Sequence, residues 1–518
     1  MAGGAGARGR VPGSIEGRSA PVLLAAHVLL LLVLLAHAPE GVLDPGAREF
    51  VVLLGALGIW RYAWGGLHLV RAVLYRNLVF PGLRQRAERR AAQAGGPPVP
   101  ELALVVTAYR IRPETLATAV RAALEEAGRV GVPTTLAVAL VEPADLRLVK
   151  RLAARAPEGL RLRLVLVRLP PTGKRQALAV ALRALSRRRI DPEAAVVVMD
   201  GDAVLTPGSL VRTLPFLRAM PELAALTTDQ DARVEGSFLM RAWHRLRFAQ
   251  RDLIMSSLGL SRRLLSVTGR MSVYRAAVAT DPGLIERIEH DALDHWRLGR
   301  IELLTGEDKS TWLWLLERGR AMLYVPDVRV LTIEDPPAPG FFTASTMLML
   351  RWSGNMLRGG RRALALGPRR VGPFLWWCLV DQRVSIWTPL VGPAAALLSG
   401  LLLAPAILWA YAVWVLATRL LLALGLLAVG RWPSGAWPLL VYYGQVWGAL
   451  VKGWVLFRLD RQRWTRQAIV LRPAAGGPMR TLGSHGLHLL ALAALLLAVG
   501  LATGVLAWPA GVGLGRPF

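Results

Sequence analysis

Apolar residues follow two patterns along this chain. Near both ends they form long, almost unbroken blocks, whereas residues 101–336 show short apolar runs separated by polar segments. Blocks at 21–38 and 50–70 are each long enough to span a bilayer as a helix. They predict a transmembrane hairpin over 21–72, preceded by a Gly- and Arg-rich tail (1–20) read as disordered. A basic linker (73–100) follows and ends in Gly95-Gly-Pro-Pro-Val-Pro100. From Glu101 the pattern becomes strand–helix alternation, the signature of a parallel α/β sheet. Strands are predicted at 102–107, 134–141, 160–167 and 194–199, with helices at 113–128, 144–156 and 174–187. Beyond them come an amphipathic helix (237–260), a strand-like stretch (266–274), a helix (310–318) and a strand (322–325) ending at Pro326. Residues 341–362, rich in Met and Arg, fit an amphipathic helix on the membrane surface, so 337–384 is read as interfacial. Apolar segments return at 386–403, 406–429, 437–457 and 487–508, making 385–518 a C-terminal transmembrane region.

Charge orients this arrangement. Arg8, Arg10 and Arg18 precede the first block, and Arg71, Arg76, Arg84, Arg86, Arg89 and Arg90 follow the second, with Arg48 the cation between them. The positive-inside rule then puts the N-terminus and the α/β domain in the cytoplasm. Arg458, Arg461, Arg463 and Arg466 follow the third C-terminal segment and belong on the same side. Three full crossings would place them outside, so one of the first two segments is expected to be interfacial or re-entrant. Arg419 makes the second of them suspect. Four to six spans result. Lys and Arg number 63 against 35 Asp and Glu, a net charge of +28. No basic run interleaved with aromatics accompanies it, so nucleic acid is not read as a partner. Juxtamembrane loops explain part of the excess, and membrane lipid or an anionic substrate more. The single cysteine, Cys378, excludes an intrachain disulfide.

Val196-Val-Val-Met-Asp-Gly-Asp202 is a buried-strand pattern running into two carboxylates. Ligands of open α/β sheets gather at such strand tips. Oxygen donors there suit a hard divalent cation held against a diphosphate. Lys174-Arg175 opens a helix after a Pro-Pro-Thr-Gly turn, a place where cations and backbone N–H groups cradle phosphate. Thr305-Gly-Glu-Asp308 sets two acids just before a helix; Asp308 can serve as a general base or merely as a helix cap. Arg351-Trp352 offers a cation for phosphate and an indole for a sugar ring. His290 and His295, with Asp291 and Asp294 between, stand on different helical faces and read as surface residues rather than metal ligands.

This order of motifs between two membrane blocks resembles the processive membrane family-2 glycosyltransferases, the class of cellulose, hyaluronan and alginate synthases. Longer strings are similar to those of the alginate-synthase catalytic subunits, the mannuronan synthases. They are Leu246-Arg-Phe-Ala-Gln-Arg251, Val267-Thr-Gly-Arg-Met-Ser-Val-Tyr-Arg275, Thr305-Gly-Glu-Asp-Lys-Ser-Thr-Trp312, Arg351-Trp-Ser-Gly-Asn-Met-Leu-Arg358 and Asp381-Gln-Arg-Val-Ser-Ile-Trp-Thr388. The resemblance implies a GT-A-like, nucleotide-sugar-binding α/β domain inserted between transmembrane helices of a polytopic protein in the bacterial inner membrane. It implies an inverting transfer from GDP-mannuronate that builds and exports β-1,4-polymannuronate. Thr107, Ala108 and Tyr109 would face the nucleotide, Lys174 and Asp200 the diphosphate, and Asp202 would ligate Mg2+ or Mn2+. Gly269, Arg270 and Glu307 would border the acceptor, Asp308 would be the base, and Arg351 and Trp352 would close over the donor and the start of a channel. Three positions depart from the class. Glu142 is the nearest acid to a base-reading Asp after the second strand, Leu348 stands where Gln is usual, and Arg110 where Asn is usual. The resemblance also implies a cyclic di-GMP-binding membrane partner, for which the C-terminal part shows no motif of its own. Synthesis of another polysaccharide from a UDP-sugar, a lipid-carrier monosaccharide transferase, and a non-enzymatic basic scaffold are the competing readings.

Overall fold

Parallel strands covered on both faces need side chains that are apolar on both faces; three runs of this chain meet that condition, and a fourth, partly exposed, lies at the sheet edge. The computed structural model describes residues 16–39, 48–463, 470–471 and 478–507. The tail expectation over 1–15 and the position of Arg466 fall outside them. β1 (Leu102–Thr107), β2 (Thr134–Leu140), β3 (Leu162–Arg168) and β4 (Ala195–Asp200) are parallel, and every residue of β1 and β2 is buried. Helices Pro113–Val130, Pro143–Ala153 and Lys174–Arg187 connect them, as the alternation predicts. The sheet gains β5 (Ala203–Leu205), β6 (Leu223–Val234) and β7 (Met271–Arg275). A separate hairpin is made by β8 (Ala292–His295) and β9 (Gly299–Glu302), and β10 (Ala321–Glu334) completes the large sheet. Its order is β3-β2-β1-β4-β7-β6-β10-β5, mixed because β7 runs antiparallel to both neighbours.

Two strands differ from the sequence expectation. β6 carries Thr227-Thr-Asp-Gln-Asp231, a polar stretch that hides the strand, yet Asp229 is buried there. Arg431 and Arg329 supply its counter-charges, at 2.5 and 2.8 Å. β10 does not stop at Pro326. Its register against β6 shifts between Val325 and Arg329, and a bulge of that kind admits proline to a strand.

Among the described residues, four helices are long and apolar enough to cross a membrane: Phe50–Gln93, Pro373–Leu402, Ala406–Val429 and Met479–Ala502, with the shorter apolar Pro21–Ala36 beside them. Phe50, Ala395, Ile407 and Val499 pack together at one end of this bundle. At the other, Arg76 pairs with Asp252 at 2.7 Å, and the Tyr75 hydroxyl donates to the Tyr324 carbonyl of β10. Helix Trp437–Leu456 behaves differently. The Trp437 indole donates to the Ala242 carbonyl at 3.1 Å, and just past the helix Arg358 donates to the Leu459 carbonyl at 3.0 Å. The Leu304 N–H donates to Gln462 Oε1 at 3.1 Å. Both ends therefore meet the α/β domain and its flanking helix. Among the described residues, both earlier segments are among the helices long and apolar enough to cross, and Trp437–Leu456 is not. Arg419, the reason for doubting the second, donates to the Tyr62 hydroxyl at 3.1 Å. Helix Phe341–Ala365 is packed as well: Ala344, Leu348, Met349 and Leu357 share a core with Trp243, Leu440 and Val441.

Candidate active site

β1 and β4 lie in register so that Thr107 stands beside Asp200. The Gly201 N–H donates to the Thr107 carbonyl at 3.0 Å and the Ile333 N–H to the Asp202 carbonyl at 2.9 Å. The Asp-Gly-Asp turn is thereby held between the ends of β1 and β10, with Asp202 buried. Glycine is required at its centre, because a Cβ on Gly201 would lie 2.6 Å from the Ala108 Cβ. The Thr107 hydroxyl is buried at this strand end without a hydrogen-bond partner.

Lys174, the first residue of its helix, reaches this turn. Its Nζ lies 2.5 Å from Asp200 Oδ1 and 2.6 Å from Glu307 Oε1. Gly269 closes over the trio, since a Cβ there would fall 2.6 Å from Lys174 Nζ and 3.2 Å from Glu307 Oε1. Glu307 and Asp308 do not precede their helix, as the sequence reading has it. They form the first turn of Glu307–Glu317, behind Gly306 at φ 86°. Carboxylates are favoured there by the helix dipole. Burial, then the adjacent Glu307 charge, raises the Asp308 carboxyl above its ordinary range. Burial also acts to raise Glu307, but Lys174 outweighs it and holds Glu307 below its usual range. Lys174 is likewise desolvated, and its two carboxylate partners more than offset that, keeping the ammonium charged.

Arg175 does not join Lys174 at the site. It turns into the core and donates to the Thr305 carbonyl, the Ser310 hydroxyl and the Ile288 carbonyl, each at 3.0 Å. The loop carrying the acids is fixed from the other side by Asn355. Its Oδ1 accepts from the Thr305 hydroxyl at 2.7 Å and from Arg358 at 2.8 Å, and its side chain packs on Gly306. Arg270 donates through Nε to Glu334 Oε1 at 3.2 Å and is paired with it through a second nitrogen. Burial opposes the charge on Glu334, but Arg270, then His244, pulls its pKa to about 2. The field of the half-buried Arg351 reaches the same carboxylate. Trp352 stacks on Trp243 with ring centroids 5.6 Å apart.

The predicted residues divide clearly. Lys174, Asp200, Gly269 and Glu307 converge, bordered by Thr107, Ala108, Asp202, Arg270 and Asp308. Tyr109 follows the tip of β1, with the Arg110 guanidinium 5.2 Å from its ring. Arg110 has φ 49°, a left-handed conformation that Asn adopts readily, which fits the Asn usual there. Glu142 is exposed past the tip of β2, at the N-cap of the next helix, and makes no capping bond. Leu348 is buried in the apolar core rather than facing a ligand. Glu334 and His244 carried no signal, Trp243 read only as an apolar position of its helix, and Arg247 and Asn355 stood unremarked inside the Leu246–Arg251 and Arg351–Arg358 strings. His290 is exposed as expected, but His295 is buried and accepts from the Arg297 and Leu298 N–H groups at 3.2 Å. It is a turn residue of the β8–β9 hairpin. Among the described residues, Glu286, Glu289 and His290 cluster within 4.8 Å, but Glu289 is already paired with Arg183.

An Asp-x-Asp turn at a strand tip, a lysine bridging it to a buried acid pair, and apolar helices on both sides of the domain define a GT-A-like glycosyltransferase attached to a membrane. Residues 98–355 match the family model for glycosyltransferase-like family 2. The chain is 44% identical over 441 residues to the glycosyltransferase Alg8 of Pseudomonas syringae pv. tomato, covering 85% of this chain and 89% of that one. To Alg8 of Azotobacter vinelandii it is 43% identical over 438 residues, covering 85% and 88%. The chain belongs to the Alg8 glycosyltransferases of family 2. It is also similar to a solved mannosyltransferase from Pyrobaculum calidifontis in complex with GDP-Man and Mn2+, at 19% identity and TM-score 0.38, over 73% of this chain and 99% of that one. Staphylococcus aureus TarS is similar at 12% identity and TM-score 0.29, over 50% of this chain and 65% of that one.

Proposed function

We propose that this chain is a processive, inverting glycosyltransferase of the bacterial inner membrane that polymerises mannuronate from GDP-mannuronate into β-1,4-polymannuronate and exports it. The observation that carries this reading is the convergence of Lys174, Asp200 and Glu307 beside Asp308, in a chain of Alg8 kinship. The choice of mannuronate follows the resemblance to alginate-synthase catalytic subunits, and the excess of arginine suits a donor with one carboxylate per sugar.

Asp308 takes the proton from the terminal hydroxyl of the growing chain as that oxygen attacks the anomeric carbon. The bond from that carbon to the GDP oxygen breaks with inversion, and GDP leaves. A carboxylate raised by burial accepts this proton more readily than an exposed one. Lys174 neutralises the departing diphosphate, and Glu307 holds Lys174 in place between turns. Asp200 and Asp202 form an all-oxygen donor set that fits Mg2+ or Mn2+. When bound, such an ion supplies further charge stabilisation to the leaving group. Thr107 to Tyr109 line the nucleotide side, Arg270 and Gly269 the acceptor side, and Arg351 and Trp352 the way to the channel. The α/β domain faces the cytoplasm, where Arg71, Arg76 and Arg458 also lie. A cyclic di-GMP-binding membrane subunit completes the assembly.

Membranes holding the full chain and that subunit, supplied with labelled GDP-mannuronate and divalent metal, should yield a polymer. Asp308→Asn should lower the rate roughly a hundredfold or more while leaving GDP binding intact. Incorporation from UDP-sugars alone would sink the assignment.

A further inference from the structure

Arg247 is a cation without a counter-anion. It lies on the helix Phe238–Gly259, with its guanidinium 4.5 Å from the Trp352 ring centre and 5.2 Å from that of Trp243. Among the described residues it has no carboxylate within ion-pairing distance, and the charge that perturbs it is another cation, Arg270. Its side chain is solvent-accessible. Burial, then Arg270, nevertheless lowers its pKa to about 10. Surrounded by protein and yet accessible, it must face a cleft inside the molecule rather than the outer surface. An accessible cation with no carboxylate beside it is open to an anion brought by a ligand.

The neighbours say where that cleft runs. Trp352 lies one helical turn before Asn355, which packs on Gly306 at the head of the acid-bearing helix. On the opposite side, the field of Arg247 reaches Lys452. Lys452 donates to the Ser385 carbonyl at 2.9 Å and lies near the Arg61–Asp381 pair of the apolar helices. The path therefore leads from the transfer site toward the bundle. A guanidinium held beside an indole still offers N–H donors, and these match a carboxylate in two-point fashion.

We propose that Arg247 reads the carboxylate of the chain leaving the transfer site, holding a uronate unit beside Trp352, with Lys452 as the next cation on the way out. This rests on the polymannuronate reading above. Arg247 then sets specificity by favouring a charged over a neutral sugar chain, in addition to whatever the donor pocket selects.

The test uses the full chain in lipid nanodiscs and two probes: a short β-1,4-oligomannuronate and its carboxyl-reduced, neutral counterpart. Wild type should bind the acidic probe roughly tenfold or more tightly than the neutral one. Arg247→Gln should erase most of that preference, and Arg247→Lys should retain part of it. GDP affinity, measured on the same preparations, reports that the fold persists. A wild type with no preference, or an Arg247→Gln protein with the full preference, overturns the proposal. A wild type that fails to incorporate mannuronate from GDP-mannuronate when assayed together with the cyclic di-GMP-binding membrane subunit overturns the parent reading, and that failure is seen before any variant is compared.

Discussion

At the residue scale the site is a balance between one lysine and the acids around it. Asp308 must be ionised to act as a base, so activity falls as pH drops through its carboxyl, which burial and Glu307 place above the ordinary aspartate range. Lys174 works against that shift, because its charge favours the ionised form of both Glu307 and Asp308. Removing the cation stabilises the protonated acids, so their pKa values rise. Lys174→Ala should therefore move the acid limb of the pH–rate profile to higher pH, besides weakening GDP binding. An acid limb that stays in place in Lys174→Ala would show that Asp308 is not the titrating base.

At the scale of elements, two glycines place strand tips and helix starts within bonding reach. Gly201→Ala drives a methyl group into Ala108 and Ile111, an overpacking that costs about 1–3 kcal/mol and should lower the unfolding temperature. Gly269→Ala instead meets the end of a lysine side chain, which can move. It should leave thermal stability nearly unchanged while reducing turnover, since Lys174 must leave Asp200 or Glu307 to make room; equal losses of stability in the two variants would contradict this. The elements differ in how far the sequence reveals them. β1, β2 and β4 are legible because strands buried on both faces are continuously apolar, and the partly exposed edge strand β3 from its place in the strand–helix alternation; the Asp-Gly-Asp turn and Lys174 follow from their positions at strand tip and helix start. β6 is not legible, because its Asp229 is tolerated through Arg431 and Arg329, about two hundred and one hundred positions away along the chain. Glu334 and Asn355 stay hidden for the same reason: their partners Arg270 and Thr305 are distant in sequence. Trp437–Leu456 falls outside the four helices that are long and apolar enough to cross, and both its ends are bonded to the α/β domain and its flanking helix.

For the whole molecule, those contacts decide how the catalytic domain is tied to the membrane helices. Arg431, in the loop between Ala406–Val429 and Trp437–Leu456, pairs with Asp229 at 2.5 Å and Asp252 at 3.3 Å, and Arg76 and the Tyr324 hydroxyl also bind Asp252. Burial, then Asp229, raises Asp252, and the two arginines pull it back. Arg431→Met would leave buried Asp229 with Arg329, and buried Asp252 with Arg76 and Tyr324, as their remaining partners, and should show as earlier thermal unfolding in detergent. The same loop fixes the topology. Because Arg431 is bound to the α/β domain, Ala406–Val429 must end on the side where that domain lies. Trp437–Leu456 begins there and, through Leu459 and Gln462, also finishes there. Accessibility reporters placed at Pro433 and Asp460 should therefore report the same side of the membrane, and one at Pro405, between the two preceding helices, the opposite side. If Trp437–Leu456 crossed, Pro433 and Asp460 would report opposite sides. Arg458 and Arg461 would then lie outside, against the positive-inside rule, and the Arg358–Leu459 hydrogen bond would have to break.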